Sequence, residues 1–286
     1  MTTSEAATRL VVQAPEVDTP ALKALAKLAG ATRIDALSRS GDQAFALAPA
    51  ANAAELAAYC TREALDCAIV EPEQRIERVR LLAMDMDSTL ITIECVDEIA
   101  DMLGIKQEVA AITASAMRGE IDFRESLTRR VALLAGLEVE ALQRVYDERL
   151  ELSPGAERLL AGMRAVGARS LLVSGGFTFF TERLKNRLGL DYTCANTLEI
   201  VEGRLTGRLV GPIVDADAKA ASFKRLRAAL AADGGLAVAI GDGANDLPML
   251  EAADVSISYR AKPIVRARTT YAIDHCGLDA VLNLFV

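Results

Sequence analysis

Residues 79–84 are apolar except for Arg80, and the run stops at Asp85-Met86-Asp87-Ser88-Thr89. An unbroken apolar run ending in turn-forming residues predicts a strand covered on both faces. Similar runs occur at 168–173, ending in Ser174-Gly175-Gly176, at 236–240, ending in Gly241-Asp242-Gly243-Ala244-Asn245-Asp246, and at 254–258. Helical periodicity at 153–166, 177–188 and 217–232 separates them, which predicts a parallel α/β sheet. Ser153 is the expected N-cap of the first of these helices, with Pro154 at its first position. Two stretches interrupt the alternation. Residues 94–150 read as successive helices, 94–103, 106–117, 122–134 and 138–150, and 192–201 with 208–214 read as a hairpin joined across Glu202-Gly203.

The N-terminal quarter follows a different rhythm. Strand 8–13, helix 19–28, strands 32–38 and 43–47, helix 51–64 and strand 68–70 give the order βαββαβ, with Ser40-Gly41-Asp42 as a hairpin turn. That order is the split βαβ arrangement of a ferredoxin-like α+β domain. Residues 71–78 are polar, contain Pro72 and form the expected linker. The predicted organisation is therefore residues 1–72 as one domain and 73–286 as a second, with a helical insert over about 94–152.

Composition narrows the chemistry. Half of the residues are apolar, so a disordered chain is excluded, and a net charge of −8 opposes binding to nucleic acid or to an anionic membrane surface. The first ten residues lack a basic-then-apolar leader, and no apolar run approaches the roughly 18 residues of a membrane span. The chain is expected in the cytoplasm. Its five cysteines are scattered, with no Cys-x-x-Cys, and read as reduced thiols. A single histidine, His275, reads as structural, since its neighbour Cys276 points to the opposite face of an extended segment. Acid–base chemistry therefore falls to carboxylates.

Acidic loops at strand ends are the candidates. Asp85-x-Asp87 alone is as compatible with a solvated turn as with a site. A calcium loop is excluded, because Thr89, Leu90 and Val96 stand where its acid, glycine and glutamate belong. Gly241 to Asp246 begins like a dinucleotide loop, but Asp246 replaces the third glycine. No Gly-x-x-x-x-Gly-Lys-Ser/Thr occurs. What remains is a pair of acidic loops at the carboxyl ends of strands, where open α/β sheets bind ligands. Two like charges about 4 Å apart repel by roughly 4 kcal/mol at an effective dielectric near 20, so these acids call for a cation. Oxygen donors without His or Cys favour Mg²⁺.

Asp85 to Thr89, Ser174-Gly175, Lys219 and Gly241 to Asp246 together resemble the four ordered motifs of the haloacid dehalogenase superfamily. The resemblance covers about 79–286 and implies a Rossmann-like core with a small helical cap inserted after the first strand. Glu94-Cys95-Val96-Asp97-Glu98-Ile99-Ala100 and the segment from Met117 to Arg130 resemble the phosphoserine phosphatase branch. The N-terminal unit resembles the amino-acid-binding domain called ACT, and a homodimer through it is an expectation.

The resemblance implies Mg²⁺-dependent hydrolysis of O-phospho-L-serine, the last step of serine biosynthesis, through an aspartyl phosphate. It makes Asp85 the nucleophile and Asp87 the general acid and base. Asp85 and Asp242 would hold the metal through carboxylates and Asp87 through its backbone carbonyl, with Asp246 behind them. Ser174, Gly175, Lys219 and Asn245 would contact the phosphate end of the substrate. Glu94 would take its ammonium and Arg130 its carboxylate, with Met117 and Phe123 closing an apolar lid. Taken singly, Lys219 reads as a solvated helix residue, and only the ordered set of motifs overturns that. Other outcomes are transfer of the phosphate to another alcohol, such as homoserine, and a non-catalytic amino-acid sensor.

Overall fold

The computed structural model describes residues 7–286, so the first six residues of the expected N-terminal domain lie outside the described residues. The chain opens with β1 (Arg9–Ala14), α1 (Thr19–Ala29), β2 (Arg33–Leu37), β3 (Gln43–Ala48), α2 (Ala53–Arg62) and β4 (Asp66–Val70). These strands form an antiparallel sheet in the order β2-β3-β1-β4, the split βαβ arrangement expected from the βαββαβ order. Asp18 starts α1 by accepting the Ala21 N–H at 2.6 Å, and Gly30 ends it at φ +68°. Leu25, Leu56 and Cys60 from the helices close over Leu10, Val12 and Leu47 of the sheet.

A seven-stranded sheet follows. Its elements in chain order are β5 (Val79–Met84), α3 (Cys95–Leu103), α4 (Lys106–Met117), α5 (Phe123–Ala132), α6 (Val139–Glu148), α7 (Ala156–Ala165) and β6 (Arg169–Phe177). After these come α8 (Thr178–Leu188), β7 (Tyr192–Val201), β8 (Arg204–Val210), α9 (Ala216–Leu230), β9 (Leu236–Gly241), α10 (Leu247–Leu250), β10 (Val255–Tyr259), α11 (Pro263–Arg266) and β11 (Tyr271–Ile273). The strand order is β11-β10-β9-β5-β6-β7-β8, parallel except for β8. β5 lies between β9 and β6. Its Leu82 and Met84 pack into the larger core, while Leu81 and Ala83 pack with Phe223 on the other face, so the stretch from 81 to 84 is apolar on both faces.

Helices α3 to α6 form the cap. It leaves and rejoins the core through paired segments, in which Thr92 donates to the Glu151 carbonyl, Ser153 to that of Leu90, and Ile91 pairs with Leu152. The β7–β8 hairpin supports it from below, where Val139 N–H donates to the Gly203 carbonyl and Leu205 N–H to that of Leu137.

Boundaries differ from expectation by more than two residues in three elements, α7, β8 and β6. Gly155 adopts φ +79° and the Pro154 carbonyl accepts the Leu278 N–H, so α7 begins at Ala156 and Ser153 is not its N-cap. Glu202 and Gly203, at φ +51° and +76°, make a two-residue turn, and β8 therefore restarts at Arg204 rather than 208. β6 continues past 173 through Phe177, with its register against β7 shifting between Val173 and Phe177.

A hydrogen-bonded seam fixes the N-terminal sheet against the chain's end. The Asp66 carboxylate accepts backbone N–H groups from Asp274, His275 and Cys276, at 2.8, 3.0 and 2.9 Å. Gly41 N–H donates to Asp279 Oδ2 while Gly277 N–H donates to Asp42 Oδ2.

Candidate active site

Asp85 sits at the carboxyl end of β5, where its N–H donates to the Ile240 carbonyl and the residue is 5% exposed. The chain then makes a tight turn over Met86–Leu90, with Ser88 at φ +55°. Lys219 enters from the first turns of α9, a helix whose N-cap Asp215 accepts the Ala218 N–H. Lys219 Nζ lies 2.6 Å from Asp85 Oδ1 and 2.8 Å from Asp246 Oδ1. Burial works against its charge, but Asp246 and Asp85 outweigh that and hold its pKa above the usual lysine value. Burial pushes the Asp85 carboxyl well up, reinforced by Asp246 and opposed by Lys219.

Asp87 is held at both oxygens. Oδ1 accepts the Cys95 N–H at 2.9 Å, and Oδ2 accepts the Ser174 hydroxyl at 3.2 Å. Burial raises its pKa above the usual carboxylate value, while these hydrogen bonds and Lys219 resist. On the cap, Glu94 Oε1 accepts the Ser88 hydroxyl at 2.7 Å. Although Glu94 meets solvent, desolvation in the cleft and the charge of Asp87 push its carboxyl up to about 7. Arg130 is half-buried, donates from Nε to the Ser126 carbonyl at 3.4 Å, and has no acidic partner within ion-pair distance among the described residues.

A cleft of about 380 Å³ joins these groups. Asp85, Asp87, Gly175, Lys219, Asp242 and Asn245 line its core side. Glu94, Met117, Phe123 and Arg130 line its cap side. Two expected site residues stand behind that wall. Ser174 is fully buried, its hydroxyl shared between Asp87 and the Gly176 N–H. Asp246 is also fully buried and uses both oxygens, Oδ1 toward Lys219 and Oδ2 toward the Gly243 N–H.

Several contributors escaped the sequence reading. Thr89 Oγ1 donates to Asp242 Oδ1 at 3.1 Å, Ser88 holds Glu94, and the Cys95 amide holds Asp87. Asn196 Nδ2 donates to the Gly175 carbonyl at 2.8 Å, which fixes the loop after β6. Gly176 also lines the cleft, and a Cβ there would lie 2.9 Å from Asp87 Oδ2. Thr89 and Ser88 at least sit inside a motif, but nothing in the sequence marks Asn196.

Asp85, Asp242 and Asp246 offer carboxylate oxygens that all lie within 4.8 Å of one another. The Asp242 carboxyl is pushed up to about 6 by burial and by Asp246. Lys219 alone does not balance these acids together with Asp87, so the cluster fits a hard divalent cation bound by oxygen.

A model of haloacid dehalogenase-like hydrolases matches residues 82–251. The chain belongs to that family. This hydrolase is 51% identical over 221 residues to a phosphoserine phosphatase of Polaromonas, covering 76% of this chain and 94% of that one. Its fold is similar to the unliganded crystal structure of a probable phosphoserine phosphatase from Vibrio cholerae, with a TM-score of 0.83, 34% identity, and 98% and 86% of the two chains covered. It is also similar to a phospho-aspartyl intermediate analogue of phosphoserine phosphatase, with a TM-score of 0.66, 34% identity, and 73% and 99% covered. Residues 10–57 match a domain of unknown function. Haloacid dehalogenase-type phosphatases generally use Mg²⁺, and the acidic cluster is chemically suited to it.

Proposed function

We propose that this chain hydrolyses O-phospho-L-serine to L-serine and phosphate, with Asp85 as nucleophile and Asp87 as proton carrier. The observation that carries the reading is the charge pattern across one cleft. Asp85 and Lys219 stand on the floor, and Glu94 and Arg130, which has no acidic partner within ion-pair distance among the described residues, stand on the cap side. A phosphate ester that is also an amino acid presents matching groups. Relatives named phosphoserine phosphatase at about half identity support the same substrate.

Lys219 holds Asp85 Oδ1, so Oδ2 is the oxygen left to attack phosphorus. As the phosphorus–oxygen bond to serine breaks, Asp87 gives its proton to the leaving oxygen. Water then attacks the aspartyl phosphate, Asp87 takes the proton back, and the Asp85 carboxylate is released. Lys219 and the Gly175 amide bind phosphate oxygens, and Asn245 closes the same end of the cleft. Ser174 acts from behind, fixing Asp87. Asp85 and Asp242 would hold Mg²⁺ through carboxylates and Asp87 through its backbone carbonyl, with Asp246 tied to Lys219 in the layer outside. Bound there, the ion offsets the charge of the phosphate dianion. Phe123 and Met117 shield the reacting centre from the cap side.

The reading extends to residues 1–72 as an ACT-like domain able to pair two copies, residues 73–286 as the phosphatase, and a cytoplasmic enzyme with no nucleic-acid or membrane partner. No helix among the described residues is long and apolar enough to cross a membrane, and the five cysteines are unpaired. The deciding experiment is phosphate release from L-phosphoserine beside phosphoglycolate and sugar phosphates, with and without homoserine. L-phosphoserine should be turned over best, with phosphate appearing in water. Preference for another ester would change the substrate, and phosphohomoserine as the main product would make the chain a phosphotransferase.

A further inference from the structure

A second cleft of about 710 Å³ lies between the N-terminal sheet and the phosphatase core, past the carboxyl ends of β10 and β11. Its acids are already engaged. Asp42 Oδ2 accepts the Gly277 N–H at 2.8 Å, and Asp279 Oδ2 accepts both the Gly41 N–H at 2.7 Å and Arg158 Nη1 at 2.9 Å. Glu157 occupies the first turn of α7, where the helix dipole favours its charge.

The donors are not matched in the same way. Arg260 is exposed on the cleft wall and has no acidic partner among the described residues. Its backbone holds φ +49°, a conformation that costs a non-glycine residue energy and concentrates at functional positions. His275 also lines the cleft, and its imidazole makes no hydrogen bond among the described residues. Tyr259 is 1% exposed, and its hydroxyl has no hydrogen-bond partner, its contact with the Ser153 hydroxyl falling short of one. The groups facing that hydroxyl are Ser153, Arg260, Asp279 and Asp42, all from the cleft wall.

We propose that this interdomain cleft is a binding site for a small oxyanion, a carboxylate or a phosphate, with Arg260 as its principal charge. The guanidinium fork matches either anion, and His275 lines the same cleft. The ligand would lie against Leu152 and Ser153, the segment through which the cap rejoins the core. The site is separate from the cleft over Asp85 and does not depend on which ester is hydrolysed there.

His275 is the only histidine in the chain, so its imidazole resonances report on this cleft alone. Inorganic phosphate and succinate should each be titrated into the full-length protein at fixed pH and constant ionic strength while the ¹⁵N–¹H imidazole signals are followed. A saturable shift with phosphate only, succinate only or both supports the site and tells which oxyanion it prefers. Arg260→Gln should weaken that binding about tenfold or more, while Arg260→Lys should keep most of it. Phosphate release from L-phosphoserine should be unchanged in both variants, which establishes that they fold. No saturable shift with either anion, or an undiminished one in Arg260→Gln, overturns the proposal.

Discussion

Lys219 Nζ bridges Asp85 Oδ1 and Asp246 Oδ1, at 2.6 and 2.8 Å, and all three side chains are buried. The ammonium is therefore a structural counter-charge before it is a phosphate ligand. Lys219→Met should remove it and leave two carboxylates uncompensated in the core. Breaking a buried pair in this way costs about 3–5 kcal/mol, and removing a preorganised charge at the reacting centre typically costs about 10² to 10³ in rate. Urea denaturation and phosphate release on the same preparation check both effects. Wild-type stability in Lys219→Met would show that the acids there are protonated rather than paired.

Stability of the metal-free protein should fall as pH rises from about 5 to 8. Glu94 is raised from 4.5 to about 7, by burial and then Asp87, and Asp242 from 3.8 to about 6, by burial and then Asp246. For a carboxyl raised on folding, the folded state holds its proton more tightly than the unfolded chain. Its contribution is complete below the unfolded value and is lost as pH passes through the folded one. Glu94 still meets solvent, so its share is the smaller. Thermal melts in chelator should show Tm declining over this window, Glu94→Gln should flatten the decline, and Mg²⁺ should oppose it by binding the ionised acids. A Tm that rises over the same window in chelator would contradict the pKa ordering.

Asp66→Ala should destabilise the chain without touching the chemistry. The carboxylate takes N–H groups from three successive residues, Asp274, His275 and Cys276, and its loss strands them in a largely buried seam. Hydrogen bonds to a charged group are worth about 1.5–3 kcal/mol each, less what water recovers, so a loss of about 2–4 kcal/mol is expected. KM for L-phosphoserine at a temperature where the variant is folded should not move. A large KM change would mean the seam communicates with the cap.

How much of this was legible beforehand depends on the range of the interaction. The run from Leu81 to Met84 is unbroken because Leu81 and Ala83 face one core and Leu82 and Met84 the other, a relationship written in consecutive residues. The acidic loops follow directly from it. By contrast, Lys219 meets partners 134 and 27 positions away, and only the ordered set of motifs, not the lysine itself, pointed to the site. Ser174 is legible only as a polar residue at a strand end, and its hydrogen bond to Asp87, 87 positions away, is not. Asn196 and Asp66 act on backbone groups that any residue could supply, so no side-chain pattern announces them.

Arg130→Ala should weaken L-phosphoserine far more than a phosphate ester without a carboxylate. The guanidinium lines the cleft with no acid in ion-pair distance among the described residues, and burial lowers its pKa while Asp97, Glu94 and Asp87 support its charge. A carboxylate ligand would complete it, and losing such a bond costs about 1.5–3 kcal/mol, a tenfold or larger fall in kcat/KM. Glu94→Gln should act likewise on esters that carry an ammonium. Comparing phosphoserine with phosphoethanolamine and phosphoglycolate separates the two residues. Equal losses on every ester would show that Arg130 and Glu94 hold the cap together instead.

Asp85→Asn should fold normally and release essentially no phosphate, because an amide keeps the shape but neither attacks phosphorus nor carries the charge that Lys219 faces. Asp87→Asn removes only the proton carrier, a loss of about 10² to 10⁴ in rate. Rates alone do not distinguish attack by Asp85 from attack by water that Asp85 activates, since both fail in the variant. A covalent mechanism leaves a chemical mark. Borohydride added during turnover should reduce an aspartyl phosphate to homoserine, and peptide mass spectrometry should find it at residue 85 and not at residue 87. Labelled serine should also exchange into phosphoserine, because the phosphoenzyme forms reversibly. The geometry favours residue 85, because both Asp87 oxygens are occupied by Cys95 and Ser174, whereas Asp85 is tied through Oδ1 to Lys219. Homoserine at 87, or no trapping and no exchange in an enzyme that turns over normally, would require a different nucleophile.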